Sequence, residues 1–78
     1  MRVRIRYYGR FVTLLKKFEE WVELPEGAKV KDLIAFLRTK YPQLEGEHIE
    51  VSVNGRYASE DARIEAKEIA VYPIVSGG

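Results

Sequence analysis

The residues best suited to chemistry are the last two of the sequence, Gly77 and Gly78, because a chain can react through its own terminal carboxylate. Glycine has no Cβ and adopts conformations closed to other residues, so a Gly-Gly end can enter a narrow channel in a partner enzyme. With an average glycine usage of about 7%, two terminal glycines occur by chance in about 0.5% of chains. A flexible or trimmed terminus is the ordinary alternative, so the elements before the tail must support the hypothesis.

The rest of the sequence does not provide a catalytic set of its own. It contains no cysteine and a single histidine, His48, with no second histidine or clustered carboxylates at the spacing of metal ligands. We therefore expect no intrinsic catalytic residue and no metal site, and we interpret His48 as a surface loop residue. The net charge of +1 gives no reason to expect nucleic acid or an anionic membrane as the main partner.

The composition predicts one small folded domain. Hydrophobic residues make up 46% and charged residues 32% of the 78 residues. We expect a single domain over residues 1–75, followed by a flexible reactive tail at 76–78. No 18-residue apolar run or signal-peptide core is present, so a cytoplasmic location is expected. One asparagine, one glutamine and a surface rich in Glu, Lys and Arg favour a thermophilic source.

Alternating residues predict two strands near the start of the sequence. In the first strand the apolar residues at alternate positions are Val3, Ile5 and Tyr7. In the second, residues 18–24, the residues expected to face inward are Phe18, Val22 and Leu24. Residues 11–17, between the strands, read as an irregular or briefly helical connection.

One amphipathic helix is predicted over Val30–Lys40, because apolar residues recur there at helical spacing. Pro42 should end it, since the residue before a proline is disfavoured in the helical region. Lys29 stands at the N-cap position, where Ser, Thr or Asp would cap better.

The last part of the sequence predicts a hairpin and a closing strand. Asn54-Gly55 is typical of a two-residue β-turn of type I′, here before a short strand at residues 56–58. The closing strand, residues 68–75, has two faces: Ile69, Val71 and Pro73 on one, and Ala70, Tyr72 and Ile74 on the other. The order ββαβββ predicts an α+β fold in which a mixed sheet wraps one helix, with the first and last strands parallel at its centre.

Four segments carry a resemblance to a known family. They are residues 3–9 (VRIRYYG), 30–34 (VKDLI), 51–55 (VSVNG) and 68–78 (EIAVYPIVSGG). In this order, over the full length, they resemble the MoaD/ThiS family of ubiquitin-like, β-grasp sulfur-carrier proteins. Length and the aromatic first strand are more similar to MoaD, the small subunit of molybdopterin synthase. The sequence departs from the family pattern at Lys29, at Ala66-Lys67 and at Ile74, which would also suit archaeal MoaD-like protein modifiers.

The resemblance implies a chemistry for Gly78. An E1-like adenylyltransferase of the MoeB/ThiF type would use ATP and magnesium to adenylate its carboxylate, and sulfur would then replace AMP to give a thiocarboxylate. The large subunit of molybdopterin synthase, of the MoaE type, would receive the sulfur within a heterotetramer. The chain itself would bind no cofactor. The alternatives are a ubiquitin-like modifier joined to target lysines through Gly78, a sulfur carrier for thiamine or tRNA thiolation, or an interaction module with an inert tail.

Partner binding is expected on the face of the sheet opposite the helix. Tyr8, Trp21, Tyr72 and Ile74 are predicted to lie there, since exposed aromatic clusters mark interfaces. A strand slipped by one residue would instead bury some of them, and for Trp21 the two interpretations are evenly matched. The remaining predicted partner contacts lie at the root of the tail: Pro73, Val75 and Ser76.

The arginines at positions 2, 4 and 6 form a basic stripe on the same face. The common meaning of such a stripe is a solvated strand face, and Glu19 and Glu23 are positioned to pair with it. RNA binding is the weaker interpretation, because no stacking motif accompanies the arginines.

Overall fold

The computed structural model describes residues 1–73, over which the chain forms a mixed sheet with a buried core on one face. The strands are β1 (Arg2–Tyr7), β2 (Glu19–Glu23), β3 (Ile49–Val53), β4 (Arg56–Tyr57) and β5 (Glu68–Pro73). The helices are α1 (Arg10–Leu15) and α2 (Val30–Lys40), followed by a 3-10 helix over Pro42–Leu44. The strand order is β2-β1-β5-β3-β4, with β1 and β5 parallel and the other neighbours antiparallel. The predicted ββαβββ order and central parallel pair are confirmed.

The core lies between the inner face of the sheet and the helices. Strand residues at alternate positions point into it, and α2 presents its apolar stripe to the same cluster. Its fully buried members include Val3, Ile5, Phe11, Leu33, Leu37, Leu44, Val51 and Val71. β1 and β5 are parallel neighbours at the centre of the sheet, so the C-terminal ends of these two strands lie at the same end of the sheet.

The predicted bounds of α2 are confirmed. Its N-cap is Lys29, whose backbone N–H donates a 2.9 Å hydrogen bond to the Asp32 carboxylate. The Lys29 ammonium cannot accept a bond in return, so only half of a capping box exists. At the other end Tyr41 takes extended dihedrals (φ −123°, ψ 91°), as expected of a residue before proline.

The hairpin and the face assignment of β5 also agree with the sequence. Asn54 and Gly55 have φ of 54° and 78°, the positive values that a type I′ turn requires. In β5, Ile69, Val71 and Pro73 are buried on the inner face, whereas Ala70 and Tyr72 face outward. Residues 74–75 of the predicted strand and the tail at 76–78 lie outside the described residues.

The prediction that Phe18 faces the core was wrong. Its side chain is 72% exposed, and β2 begins one residue later, at Glu19. The buried aromatic residue from this stretch of the chain is Phe11, which α1 carries into the core together with Leu15. Phe18 contributes only its carbonyl, which accepts a 2.8 Å hydrogen bond from the Tyr7 N–H.

A polar cluster takes the inward position of β2 nearest to Phe18. Glu20 lies there with its side chain only 12% exposed. Its carboxylate accepts hydrogen bonds from the hydroxyls of Tyr7 (2.6 Å) and Tyr41 (2.5 Å) and from the Lys40 ammonium (2.9 Å). The Lys17 ammonium donates to the Tyr41 hydroxyl at 2.8 Å and lies 3.6 Å from the carboxylate. These contacts tie the last turn of α2 to the edge of the sheet.

The hydrogen bonds to Glu20 make it sensitive to acid. Burial alone would raise the pKa of this carboxyl, but the bonds from Lys40, Tyr41 and Tyr7 outweigh burial and lower the pKa from 4.5 to about 2. A lowered pKa in the folded state stabilises the fold above the unfolded value, and that stabilisation is lost as the pH falls through the folded value.

We therefore expect the free energy of unfolding to decrease between pH 4.5 and about pH 2. In Glu20→Gln, urea unfolding at a series of pH values should show lower stability at neutral pH and a flatter dependence over that range. The exposed neighbour provides the control, since Glu19→Gln should follow the wild-type curve. Parallel curves for Glu20→Gln and wild type would show that other carboxylates cause the acid sensitivity.

Candidate functional site

Three tyrosines meet on the outer face of the sheet, and we call Tyr8, Tyr57 and Tyr72 the tyrosine cluster. The rings of Tyr8 and Tyr72 have centroids 5.8 Å apart at an interplanar angle of 85°. Those of Tyr57 and Tyr72 are 5.5 Å apart at 69°. Both are edge-to-face arrangements, which are favourable for aromatic pairs. Tyr8 and Tyr57 are 44% and 67% exposed, so the cluster presents aromatic surface to solvent.

A shallow groove of about 760 Å³ lies beside the tyrosine cluster. It follows the outer face of β5, where Ala70 leaves space that a larger side chain would fill. Arg6 and Ser52 contribute polar groups to its lining. Exposed aromatic side chains next to a groove that contains a few polar groups are typical of a surface that binds another protein. The structure places Tyr8 and Tyr72 on this face, as expected, and their binding to a partner stays a prediction.

Trp21 also faces outward but does not join the tyrosine cluster. It lies on the edge strand β2, 50% exposed, with the Arg2 guanidinium 4.7 Å and the Arg4 guanidinium 5.8 Å from its ring centroid. Cation–π contacts of this kind stabilise an exposed ring by about 0.5–1 kcal/mol. The one-residue slip that would bury Trp21 is therefore excluded, while its contact with a partner stays a prediction.

In the basic stripe Arg4 pairs with carboxylates of the neighbouring strands, whereas Arg2 lies over the Trp21 ring and Arg6 lines the groove. Arg4 Nη2 lies 2.7 Å from a Glu68 carboxylate oxygen, and Arg4 Nε lies 3.5 Å from Glu19. The predicted pairing with Glu19 is thus confirmed, whereas Glu23 lies 3.7 Å from the amino terminus instead. These exposed pairs favour the interpretation of the stripe as a solvated strand face.

Pro73 is the last described residue of β5 and marks the root of the tail. Its ring is buried on the inner side of the sheet, opposite Ile49 of β3 and beside Gly9. Among the predicted partner contacts in residues 1–73, Pro73 thus faces the core, whereas Tyr8, Trp21 and Tyr72 face outward. The other predicted tail residues lie outside the described part of the chain: Ile74, Val75, Ser76, Gly77 and Gly78.

Residues 1–73 contain no group of three or more His, Cys, Asp or Glu side chains that could hold a metal ion. His48 is exposed, and its Nε2 lies 2.5 Å from a Glu50 carboxylate oxygen. Neither of the helices in this part of the chain has the length and apolar character needed to cross a membrane.

Tyr57 is the member of the cluster that the sequence interpretation missed. Strand pairing offered the signal: Tyr57 pairs with Ser52 across the hairpin, and Ser52 pairs with Ala70 of β5. Residues directly opposite each other share a face of the sheet. Since Ala70 was assigned to the outer face, Tyr57 follows from the register of the Asn54-Gly55 turn.

Comparison with known proteins covers the tail as well as the described residues. A model of the ThiS family matches residues 5–78. The molybdopterin synthase sulfur carrier subunit of Caenorhabditis briggsae is 33% identical over 81 residues, which cover 97% of this chain and 96% of that protein.

Two solved structures share the fold over nearly their whole length. The putative molybdopterin converting factor, subunit 1, of Pyrococcus furiosus superposes with a TM-score of 0.86 at 32% identity, covering 96% of this chain and 99% of that one. The small archaeal modifier protein 1 of Haloferax volcanii gives a TM-score of 0.81 at 25% identity and covers 100% of both chains. With its five-stranded mixed sheet and main helix α2, this chain is therefore a member of the ThiS family and has the ubiquitin-like β-grasp fold.

Proposed function

We propose that the chain is a MoaD-like sulfur carrier for molybdopterin synthesis, with the carboxylate of Gly78 as its reacting group. The observation that carries this proposal is the family match, which extends from residue 5 through the terminal glycines to residue 78. Likeness to a molybdopterin synthase sulfur carrier subunit over 97% of the chain supports the pathway. The structural likeness to a molybdopterin converting factor subunit supports it independently.

The proposed reaction begins at the Gly78 carboxylate. One of its oxygens attacks the α-phosphorus of ATP on an E1-like enzyme of the MoeB/ThiF type, and magnesium-bound pyrophosphate leaves. Sulfide then attacks the acyl carbon and breaks its bond to the phosphate oxygen, which releases AMP and a proton and leaves a thiocarboxylate. A persulfide would act in the same way, with a thiol reducing the acyl disulfide afterwards.

In this scheme the partners supply the catalysis, and the chain supplies the sulfur atom and its reach. A carrier needs no nucleophile or base of its own, which agrees with a sequence that lacks cysteine and has a single histidine. The thiocarboxylate sulfur would attack a pterin precursor bound to a MoaE-type large subunit, within a heterotetramer in the cytoplasm. Hydrolysis of the bond between the acyl carbon and the sulfur then leaves the sulfur on the pterin and returns the Gly78 carboxylate for another cycle.

A second candidate function is protein modification. The same acyl-adenylate would be attacked by a lysine ε-amine of a target, which gives an isopeptide bond and releases AMP. The likeness to the small archaeal modifier protein 1 over the full length of both chains favours this candidate specifically. Because both candidates share the activation step, one chain can serve both.

The test is mass spectrometry of the C-terminal peptide after incubation of the full chain with ATP, sulfide and extract of the source organism. Replacement of one oxygen by sulfur, localised by fragmentation to Gly78 rather than to an oxidised Met1, is the result expected of a carrier. Attachment of Gly78 to lysine side chains would instead support the modifier. An unchanged carboxylate would contradict both and favour an interaction module.

The tyrosine cluster is the proposed docking surface for the activating enzyme and the large subunit. Tyr72 contacts both other tyrosines, so a charge at this position disrupts the whole cluster. We expect Tyr72→Asp to weaken binding to either partner at least about tenfold without unfolding the domain, as measured by calorimetry and circular dichroism.

Phe18→Asp is the matched control for that variant. It places the same charge on an aromatic residue that is 72% exposed and lies just before β2, which β1 separates from Tyr72 on β5. Binding should stay at the wild-type level in this control. Equal losses in the two variants would show that the effect comes from added negative charge and not from the tyrosine cluster.

A further inference from the structure

Gly9 lies where β1 turns into α1, directly beside the last described residue of β5. Its backbone has φ 58° and ψ −144°, in a region that residues with a side chain rarely adopt. A Cβ at this position would lie 3.2 Å from Cγ and 3.4 Å from Cδ of Pro73. A side chain at this position would therefore require the Pro73 ring to shift by a few tenths of an ångström.

The backbone of β5 explains why a proline fits at this point. The Tyr8 N–H donates a 3.1 Å hydrogen bond to the Val71 carbonyl, so the polar groups of Val71 face β1. Backbone groups alternate sides along a strand, which places the nitrogen of Pro73 on the same side, where β1 has already ended at Tyr7. Proline has no N–H, so it leaves no donor unpaired there.

Two contacts between the end of β5 and the residues that follow β1 lie next to each other. Tyr8 and Tyr72 contact each other on the outer face, with ring centroids 5.8 Å apart. The residues that follow them in the sequence, Gly9 and Pro73, are also neighbours. The docking surface and the root of the tail are thus held to each other by adjacent residues. Four residues separate Pro73 from Gly78, so the five residue steps between them span at most about 17 Å. A displacement of Pro73 relative to the docked tyrosine cluster therefore changes the distance that these residues must span to bring the Gly78 carboxylate to the activating enzyme.

We infer that Gly9 is a positioning residue for activation of Gly78: by leaving room for the Pro73 ring, it holds the end of β5, from which the chain continues toward Gly78, in place relative to the docked tyrosine cluster. This role rests on the proposed function and adds a residue far from the terminus to the machinery of activation. It acts after binding, so it affects the turnover of the bound complex rather than the affinity of docking.

The test is a double-mutant cycle with the full chain and the purified E1-like enzyme, in which the rate of AMP transfer and the Kd of docking are measured separately. Gly9→Ala should lower kcat about tenfold with little change in Kd, because sub-ångström to ångström misplacement of a reacting group has effects of this size. Pro73→Ala removes Cγ and Cδ, the two atoms that a Cβ at residue 9 would contact. The double variant should therefore recover kcat to the level of Pro73→Ala alone.

Recovery in the double variant separates the contact from backbone strain, because the strain of a side chain at φ 58° remains in it. Gly46→Ala is a second control: Gly46 also has positive φ (80°) but nothing lies within 4 Å of its Cβ position. It should keep the wild-type kcat. Equal kcat for Gly9→Ala and wild type, or no recovery in the double variant, would overturn the positioning role while leaving the proposed function intact. Failure of the wild-type chain to accept AMP would overturn the proposed function and this inference with it.

Discussion

Deletion of Gly78 is expected to abolish AMP transfer to the chain and formation of a thiocarboxylate, while the midpoint of thermal unfolding stays within about 2 °C of wild type. The separation of the two effects follows from where the core lies. Among the described residues, the buried cluster runs from Val3 to Val71, before the tail begins. In the proposed function, the truncated chain would present the carboxylate of Gly77, one residue short of the position at which the activating enzyme would act.

Gly77→Val should have the same effect for a steric reason, since a β-branched side chain cannot follow glycine through a narrow channel. Ser76→Ala is the matched control, because it keeps a small residue at this predicted contact position and removes only a hydroxyl, to which we assign no catalytic role. Intact mass after incubation with ATP and the activating enzyme measures all three variants. Normal adenylation of Gly77→Val would exclude a tight channel, and full function without Gly78 would show that the chain is an interaction module.

The sequence was most informative where one physical requirement decides a conformation. Pro42 ends α2 whatever packs against the helix, and the Asn54-Gly55 turn determines the pairing of β3 with β4. In β5 the branched residues Ile69 and Val71 alternate with Ala70 and Tyr72, and once the branched residues are assigned to the core this alternation predicts the outer face for Tyr72, where it lies.

The prediction from sequence was wrong at the start of β2, where a hydrophobic residue is exposed to solvent and a charged residue is largely buried. Phe18 is apolar and exposed, whereas Glu20 is charged and largely covered. Periodicity alone places Glu20 on the same side as Val22, but nothing in the local sequence shows that Tyr7 and Tyr41, from distant segments, satisfy its carboxylate. The need for partners from other elements makes such a residue unpredictable, because a buried charge is acceptable only when its partners are already in place.

Glu20→Ala is expected to be the most destabilising of the substitutions considered in the described part of the chain. It removes the acceptor of two tyrosine hydroxyls, of which Tyr7 is almost completely buried, and the counter-charge of the Lys40 ammonium. Leaving buried donors without an acceptor costs about 1–3 kcal/mol for each group. Water reaches the lysine ends of the cluster, so we expect a total loss of about 2–4 kcal/mol. For a domain of this size, that loss lowers the midpoint of thermal unfolding by roughly 10–30 °C.

Substitution of the neighbouring Glu19 tests whether the loss of stability in Glu20→Ala comes from the buried position of the carboxylate or from its charge alone. Glu19→Ala also removes a carboxylate from β2, but its partner Arg4 lies 3.5 Å away on the exposed face, where such a pair contributes at most about 1 kcal/mol. Calorimetric unfolding of the two variants should therefore differ by about 1–3 kcal/mol in free energy. Equal stabilities would mean that water replaces the Glu20 carboxylate without loss. Restoration of stability in Tyr7→Phe/Glu20→Ala relative to Glu20→Ala would identify the Tyr7 hydroxyl as the unsatisfied group, because that variant removes the donor together with its acceptor.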